Sequence, residues 1–285
     1  MIHVGEGPAW KDILVEIHRR PREEKGMLVP AVAEPQIIWN ISGTLQCEER
    51  ELGGEWLSHR VVPGDLFLTT SPLPYELRWS VLGPEPLIVM HAFVGLPLLG
   101  RAAMELLGPE AGIPHLREVF AVRDATLTAL LEQFRLELVE RAPASSFFVQ
   151  GLAQSLAIHL IRTYRDEAGR PLPSASRLPA FQFRKISTLM EEALEEGVPI
   201  GTLADAVNMS ESHFSRLFKS TTGLSPSQYF IRLRITKAQK LLRETTQSII
   251  EIGLEVGYSS PSHFAQVFRK EAGLAPHDYR QQNHS

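Results

Sequence analysis

The amino-acid sequence predicts a multidomain α+β chain: a β-sandwich or barrel, then a helical hairpin, then an all-α domain that contains two helix-turn-helix units. Three observations support this prediction. Short apolar runs separated by glycine and proline fill the first third, apolar residues recur at helical spacing in the middle, and one pattern occurs twice in the last third. With 285 residues, of which 44% are hydrophobic, the chain is long enough to form two cores.

The first third contains short segments with the composition of β-strands. Five of them are apolar or alternate between apolar and polar residues, and turn-forming residues bound them. They are residues 37–41, 57–62, 65–70, 75–81 and 86–93. Short strands at this close spacing predict a sandwich or small barrel, which we place within residues 1–112.

Two amphipathic helices follow within residues 113–167. Apolar side chains recur at intervals of three and four residues from Leu127 to Leu138 and again from Phe148 to Leu160, which is the spacing of one helical face. An apolar stripe does not identify what covers it. The two helices either pack on the β domain or form the seam of a homodimer, and both alternatives stay open. Prolines, serines and a glycine then predict an exposed linker over residues 168–182.

Charge and cysteine content narrow the class of protein. The formal net charge is −4, yet residues 213–243 hold seven basic side chains and no acidic one, a local basic face that could bind phosphates. Cys47 is the single cysteine, so no internal disulfide can form, which fits a reducing compartment. Neither a signal peptide nor a membrane span is recognisable. We therefore expect a cytoplasmic protein with no membrane partner.

The last third contains an internal repeat. Residues 213–230 read HFSRLFKSTTGLSPSQYF and residues 263–280 read HFAQVFRKEAGLAPHDYR, with seven identical positions and no gap. Such self-similarity predicts two copies of one structural unit.

Each copy has the local signals of a helix-turn-helix unit. A short amphipathic helix precedes a residue that tolerates the left-handed conformation, then come an N-capping serine, a helix with aromatic residues four apart, and a C-cap glycine. The turn residues are Asn208 and Gly257, the N-caps are Ser210 and either Ser259 or Ser260, and the C-caps are Gly223 and Gly273.

A long helix that begins at Ser225-Pro226 joins the two units. Such a helix would hold both second helices on one side, where they could enter successive major grooves about 34 Å apart. The second helix of each unit is predicted to place its aromatic and leucine side chains toward the core. The outward positions are Ser212, Ser215, Arg216 and Lys219 in the first unit, and Ser262, His263, Gln266 and Arg269 in the second.

These motifs, together with the connecting residues Arg234, Ala238 and Leu241-Leu242, make residues 183–285 resemble the DNA-binding domain of the AraC/XylS family of bacterial transcription regulators. The resemblance implies base contacts from Ser212, Ser215, Arg216, Ser262, His263 and Gln266. Basic side chains and helix N-termini would hold the phosphates. We assign that role to Ser210, Lys219, Arg234, Ser260 and Arg269.

The turn Val62-Pro63-Gly64-Asp65 and the segment 72–79 resemble the cupin-like sensor domain that many such regulators carry. No His-x-His pair occurs in the sequence, so we predict neither a metal nor another cofactor, and no catalytic triad is recognisable. Aromatic residues of sandwich interiors can line ligand sites. The candidate effector pocket consists of Trp39, Phe67, Tyr75, Trp79 and His91.

Three functional hypotheses follow. The first is a non-enzymatic regulator whose partners are double-stranded DNA, a small-molecule effector, a second copy in a homodimer and, if it is an activator, RNA polymerase. The second is a ligand-independent regulator whose N-terminal domain only dimerises. The third is a cupin enzyme with a helical tail, which the missing metal motif and the tandem repeat disfavour.

Overall fold

The computed structural model describes residues 1–141, 143–167 and 176–284. The chain divides into two compact units, Met1–Ala180 and Phe181–Ser285. Of the predicted linker, residues 168–175 lie outside the described residues, and a helix begins at Ala180. No helix in the described part of the chain is long and apolar enough to cross a membrane.

Within the described residues, the first unit contains two antiparallel sheets. Their strands are β1 His3–Val4, β2 Ile13–Arg20, β3 Glu23–Val29, β4 Gln36–Ser42, β5 Thr44–Glu51, β6 Leu57–Val61, β7 Leu66–Thr69, β8 Tyr75–Leu82, β9 Leu87–Val94 and β10 Val119–Val122. One sheet has the order β1-β2-β9-β4-β7-β10 and the other β3-β8-β5-β6. The predicted fold class is confirmed, and the five predicted segments correspond to β4, β6, β7, β8 and β9.

The strand β5 was not predicted, because its sequence is dominated by charged residues. The structure shows how these charges are accommodated. Glu48 lies opposite Arg78 and Arg50 opposite Glu76, and each pair forms an ion pair of 2.7 Å. Cross-strand neighbours stabilise a sheet through such pairs, so a charged segment with suitable partners forms a strand.

The two faces of the six-stranded sheet have different surroundings. Ile37 and Trp39 of β4 lie in the main hydrophobic core, whereas Ile38 and Asn40 line a cavity. Successive side chains of a strand point to opposite faces. The sheet therefore has an apolar face that belongs to the core and an inner face that belongs to the cavity.

Helices share the core on the apolar face. They are α1 Leu96–Leu107, α2 Ala125–Glu140 and α3 Ser146–Tyr164, with a short 3-10 helix at Pro8–Trp10. Val149, Ala153 and Leu156 of α3 are fully buried in the same cluster as Ile37 and Met90. Packing on the β domain, one of the two alternatives for the predicted hairpin, is therefore what the structure shows, and a role in dimerisation stays a prediction.

The helix α1 was missed. Gly95 and Pro97 interrupt the apolar stretch there, so the sequence lacks the continuous pattern of a helix. In the structure, Gly95 is the N-cap and Pro97 lies in the first turn of the helix, where a missing backbone N–H costs nothing.

Asp124 joins the start of α2 to α3. Its carboxylate caps α2 by accepting from the backbone N–H of Leu127 at 2.9 Å. His159 and the Tyr164 hydroxyl of α3 each lie 2.7 Å from Oδ2 of the same carboxylate. Burial opposes ionisation of Asp124, but these hydrogen bonds favour the charged form more strongly and lower its pKa from the ordinary value.

We expect Asp124→Asn to reduce the free energy of unfolding by about 1 kcal/mol at neutral pH, because asparagine keeps the cap but loses the charged acceptor. A carboxylate whose pKa is lower in the folded state stabilises the protein above its unfolded pKa, and this contribution disappears as the pH falls through the folded pKa. The difference between the two proteins should therefore shrink below about pH 4. Urea unfolding across this range tests the prediction, and a pH-independent difference would contradict it.

Within the described residues, the second unit consists of helices joined by turns and short loops. The helices are α4 Ala180–Glu192, α5 Ile200–Ala206, α6 Glu211–Thr222, α7 Pro226–Glu244, α8 Ile249–Glu255, α9 Pro261–Ala272 and α10 Pro276–His284. The pairs α5–α6 and α8–α9 are the two predicted helix-turn-helix units, and α7 is the predicted connecting helix. Ile235, Ala238 and Leu242 of α7 share a core with Phe264 and Phe268.

Candidate nucleic-acid interface

The turns of the two units have the same local geometry. Asn208 has a φ of 55° and Gly257 a φ of 83°, which confirms both as left-handed residues. In each turn the next backbone N–H returns to the preceding helix, from Met209 to Ala204 at 3.0 Å and from Tyr258 to Gly253 at 2.8 Å. The two second helices therefore leave equivalent turns.

The helix ends also match the prediction. Ser210 caps α6 by accepting from the backbone N–H of His213, and Ser260 caps α9 through His263. The alternative cap Ser259 is thereby excluded. Left-handed glycines end both helices, Gly223 with a φ of 75° and Gly273 with a φ of 78°.

In α6 and α9 the aromatic side chains lie on the buried face and most of the predicted polar side chains lie on the exposed face, as the sequence predicts. The aromatic residues four apart are fully buried in both helices. Most of the predicted base-contacting side chains are exposed: Ser212, Arg216, Ser262, His263 and Gln266. Ser215 is half-buried, so less of its hydroxyl is available to a groove. Both helices thus place their exposed polar side chains in the N-terminal half, where a recognition helix reads base edges.

Sequence reasoning missed His213. It is exposed, and its Nδ1 lies 3.0 Å from Nη2 of Arg216. The repeat could have indicated it, since His213 and His263 occupy equivalent positions fifty residues apart. The contact orients the Arg216 guanidinium while leaving its other N–H donors for a base.

Four of the five predicted phosphate-contacting residues fall into two groups. Lys219 and Arg269 are exposed, and within the described residues neither side chain has a hydrogen-bond or ion-pair partner. Ser210 and Ser260 use their hydroxyl oxygens as caps. Their hydroxyl hydrogens can still be donated to a phosphate.

Arg234 has a different role in the structure. Its Nε donates to the carbonyl of Leu194 at 2.8 Å and its Nη2 to that of Glu195 at 3.2 Å. The guanidinium also lies over the rings of Phe230 and Tyr258. Arg234 therefore joins the segment after α4 to the second helix-turn-helix unit, and a phosphate contact from it stays an untested prediction.

Other basic side chains of α7 are also engaged within the domain. Lys237 pairs with Glu255 at 3.2 Å, and Arg243 donates to the Tyr279 hydroxyl at 2.7 Å. The basic run 213–243 is thus not one continuous phosphate-binding face. Among the described residues, Lys219 near the end of α6 is a basic side chain of this run that has no such partner.

The candidate effector pocket corresponds to a cavity of about 680 Å³ between the inner faces of the two sheets. Of its predicted residues, Phe67, Tyr75, Trp79 and His91 line the cavity. Trp39 does not, because it points to the other face of β4 and lies in the main core. The prediction of Trp39 as a pocket residue is wrong for that reason.

The cavity contains polar groups that sequence reasoning missed. Arg20, Glu49 and Glu118 lie on its walls. Burial lowers the pKa of His91 well below its ordinary value, and Gln36 holds the ring through a 2.7 Å contact to Nδ1. His91 is therefore a neutral part of the wall. Among the described residues, no three His, Cys, Asp or Glu side chains form a group that could hold a metal.

Comparison with known proteins gives matches that centre on the second unit. A family model described as a helix-turn-helix domain matches residues 203–282. The transcriptional regulator GbdR of Pseudomonas aeruginosa is 36% identical over 100 residues, which are 35% of this chain and 27% of GbdR. This chain therefore spans only about a quarter of that relative's length.

Two further matches cover different shares of this chain. An uncharacterized helix-turn-helix transcriptional regulator of Haemophilus influenzae is 29% identical over 221 residues, which are 69% of this chain and 71% of that protein. A crystal structure of a transcriptional regulator with an AraC-type DNA-binding domain, from Chromobacterium violaceum, is 35% identical and covers 36% of this chain and 91% of its own, with a TM-score of 0.35.

Proposed function

We propose that this chain, whose residues 203–282 match a helix-turn-helix family model, is a sequence-specific DNA-binding transcription regulator of the AraC/XylS type. One observation carries the proposal: two helices fifty residues apart bury the same aromatic positions and expose the same polar ones. Both begin at a capped N-terminus. Such duplication is what a reader of two adjacent groove segments requires.

In this mechanism the N-terminal halves of α6 and α9 enter successive major grooves. Arg216 donates to guanine O6 and N7, and Gln266 pairs with adenine, since these side chains match those base edges. Ser212, Ser262 and His263 contribute further contacts near the helix starts. Sequence preference then comes mainly from the two central positions, Arg216 and Gln266.

Phosphate contacts hold the protein in register on the DNA. Lys219 and Arg269 follow the base-reading positions by one helical turn and are exposed. The N-termini of α6 and α9 add backbone N–H groups, which favour phosphate oxygens. Neutralised phosphates make binding strongly salt-dependent.

The first unit would control this activity. A cavity of about 680 Å³ lies in the size range of small-molecule sites, about 300–1,000 Å³, and this favours an effector over a ligand-independent regulator. Effector binding would favour one arrangement of two protomers over another. A homodimer and, if the protein is an activator, RNA polymerase are the macromolecular partners. The site of action is the bacterial cytoplasm, where the DNA lies.

Selection of bound DNA from a genomic library with the full chain, followed by footprinting, tests the proposal. The selection is run with and without a low-mass cell extract, so that a required effector is supplied. We expect a site with two elements separated by one helical turn, about 34 Å. The double variant Arg216→Ala, Gln266→Ala is the control and should enrich no site. If the unmodified chain enriches no sequence under either condition, the proposed function is wrong.

A further inference from the structure

The cavity between the sheets has an apolar floor. Leu77 of β8 lies on this floor, with Met27 of β3 beside it and Leu45 of β5 further along the sheet. The register places Met27 opposite Leu77 and Leu77 opposite Glu49. The cavity has a positively charged wall on the β3 side of this floor and a negatively charged wall on the β5 side.

The cationic wall carries Arg20, which is half-buried at the end of β2. Its Nη1 lies 3.8 Å from the sulfur of Met27, a weak acceptor. Within the described residues no carboxylate is at ion-pair distance, although Glu16 and Glu24 favour the charged form from further away, and burial lowers the pKa of Arg20. The other N–H donors of its guanidinium are therefore available to an acceptor inside the cavity.

The opposite wall carries Glu49, Glu118 and Tyr75. Burial raises the pKa of Glu49, and His59 Nε2 lies 3.9 Å from Oε1 of this carboxylate. Glu118 accepts from Thr69 and from the backbone N–H of Thr70 through Oε1. The Tyr75 hydroxyl has no hydrogen-bond partner among the residues that the structure describes. This wall therefore offers two carboxylates and a hydroxyl to a ligand.

The sheet register sets the separation of the two walls. Met27, which contacts Arg20, and Glu49 stand on strands that flank β8. Two interstrand spacings amount to roughly 10 Å. A small molecule that spans this floor can reach Arg20 with one end and Glu49 with the other.

We propose that the cavity binds an amphoteric small molecule, with an acidic group at Arg20, a cationic group at Glu49 and Glu118, and an apolar middle over Leu77. The inference rests on the proposed effector site and adds the chemical class of the ligand. An uncharged ligand would displace water from the guanidinium of Arg20 and the carboxylate of Glu49 and would give neither group a charged partner in return, which is costly. A ligand of one charge would satisfy only one wall.

Calorimetric titration of the full chain tests this inference, without DNA present. The probes are straight-chain ω-amino carboxylates of increasing length, each with the matching alkyl carboxylate and alkyl amine. We expect one amphoteric length to bind at least about tenfold more tightly than either matched compound, because each end adds a charge-assisted hydrogen bond.

Variants assign the two ends of the ligand. Arg20→Met should remove the advantage over the alkyl amine, and Glu49→Gln the advantage over the alkyl carboxylate. Arg20→Lys, which keeps the charge, should retain part of the affinity. Arg19→Met on β2 and Glu23→Gln on β3 remove charges of the same sign at exposed positions and should bind as the unmodified chain does. Circular dichroism verifies that each variant is folded.

Three results would overturn the inference: equal binding of one-charge probes, loss of affinity in the exposed controls as well, or no binding of any amphoteric length. None of these would affect the DNA-binding proposal, which the selection experiment tests separately. Conversely, a chain that binds an amphoteric probe but selects no DNA would contradict the proposed function alone.

Discussion

Replacing Gly257 by alanine should lower the free energy of unfolding by about 3 kcal/mol, because a strained backbone and a steric clash add together. Gly257 has a φ of 83°, a conformation that side chains with a Cβ rarely adopt. An added Cβ would also lie 2.5 Å from the carbonyl oxygen of Glu195 and close to the Arg234 guanidinium. The guanidinium is itself held by the carbonyls of Leu194 and Glu195, so neither neighbour can move cheaply.

Gly273→Ala is the matched control for this prediction. Gly273 has a similar φ of 78°, but no described atom lies within 4 Å of the place where its Cβ would be. Gly273→Ala should therefore lower the free energy of unfolding only through backbone strain, by about 1 kcal/mol. Urea unfolding followed by circular dichroism measures both variants. If the two variants lose the same free energy of unfolding, the added Cβ at Gly257 meets no rigid neighbour, and the contact of Arg234 with the second turn is not rigid.

Replacing Arg216 by alanine should weaken binding to the preferred DNA site by about 1–3 kcal/mol and relax specificity at one base position. The side chain is exposed in the N-terminal half of α6, and His213 holds one end of its guanidinium at 3.0 Å. A pre-oriented guanidinium loses less conformational entropy when it pairs with guanine. Binding to sites that differ at every position, measured by fluorescence anisotropy, gives both the affinity and the specificity.

Lys219→Ala provides the comparison for Arg216. Lys219 lies one turn further along α6 and is exposed, so we expect it to contact a phosphate. Its removal should weaken binding to all sequences alike and reduce the salt dependence by about one ion. If Arg216→Ala also weakens binding to every sequence equally, Arg216 is a phosphate contact and the base-reading assignment is wrong.

Much of the second unit is predictable from the sequence, because the signals are local. Asn208, Gly257, Gly223 and Gly273 occupy the left-handed positions that the motif requires, and capping serines stand three residues before the N–H groups that they accept from. A repeat of the same signals makes the interpretation specific. The choice between Ser259 and Ser260, the contact of His213 with Arg216 and the role of Arg234 needed the structure.

The first unit is less predictable. Apolar periodicity identifies α2 and α3, and apolar or alternating runs identify five strands. The sequence of β5 is charged, and its place in the sheet is favoured by Arg78 and Glu76, which lie across from it. The face of a strand residue is also undetermined until its sheet is known. Trp39 and Ile38 are adjacent, and a shift of one residue exchanges the core side for the cavity side.

The class of the protein follows from the sequence alone: a β domain precedes two helix-turn-helix units along the chain, and most of the exposed polar residues of the two second helices are recognisable. Those features depend on contacts within a few residues, which a sequence shows directly. The tertiary structure alone decided that Arg234 bridges to Leu194, forty positions away, and that Arg20 and Glu49 face one cavity. Such groupings arise from strand pairing and long-range packing, and the identity of a single residue does not reveal which distant segment it will meet.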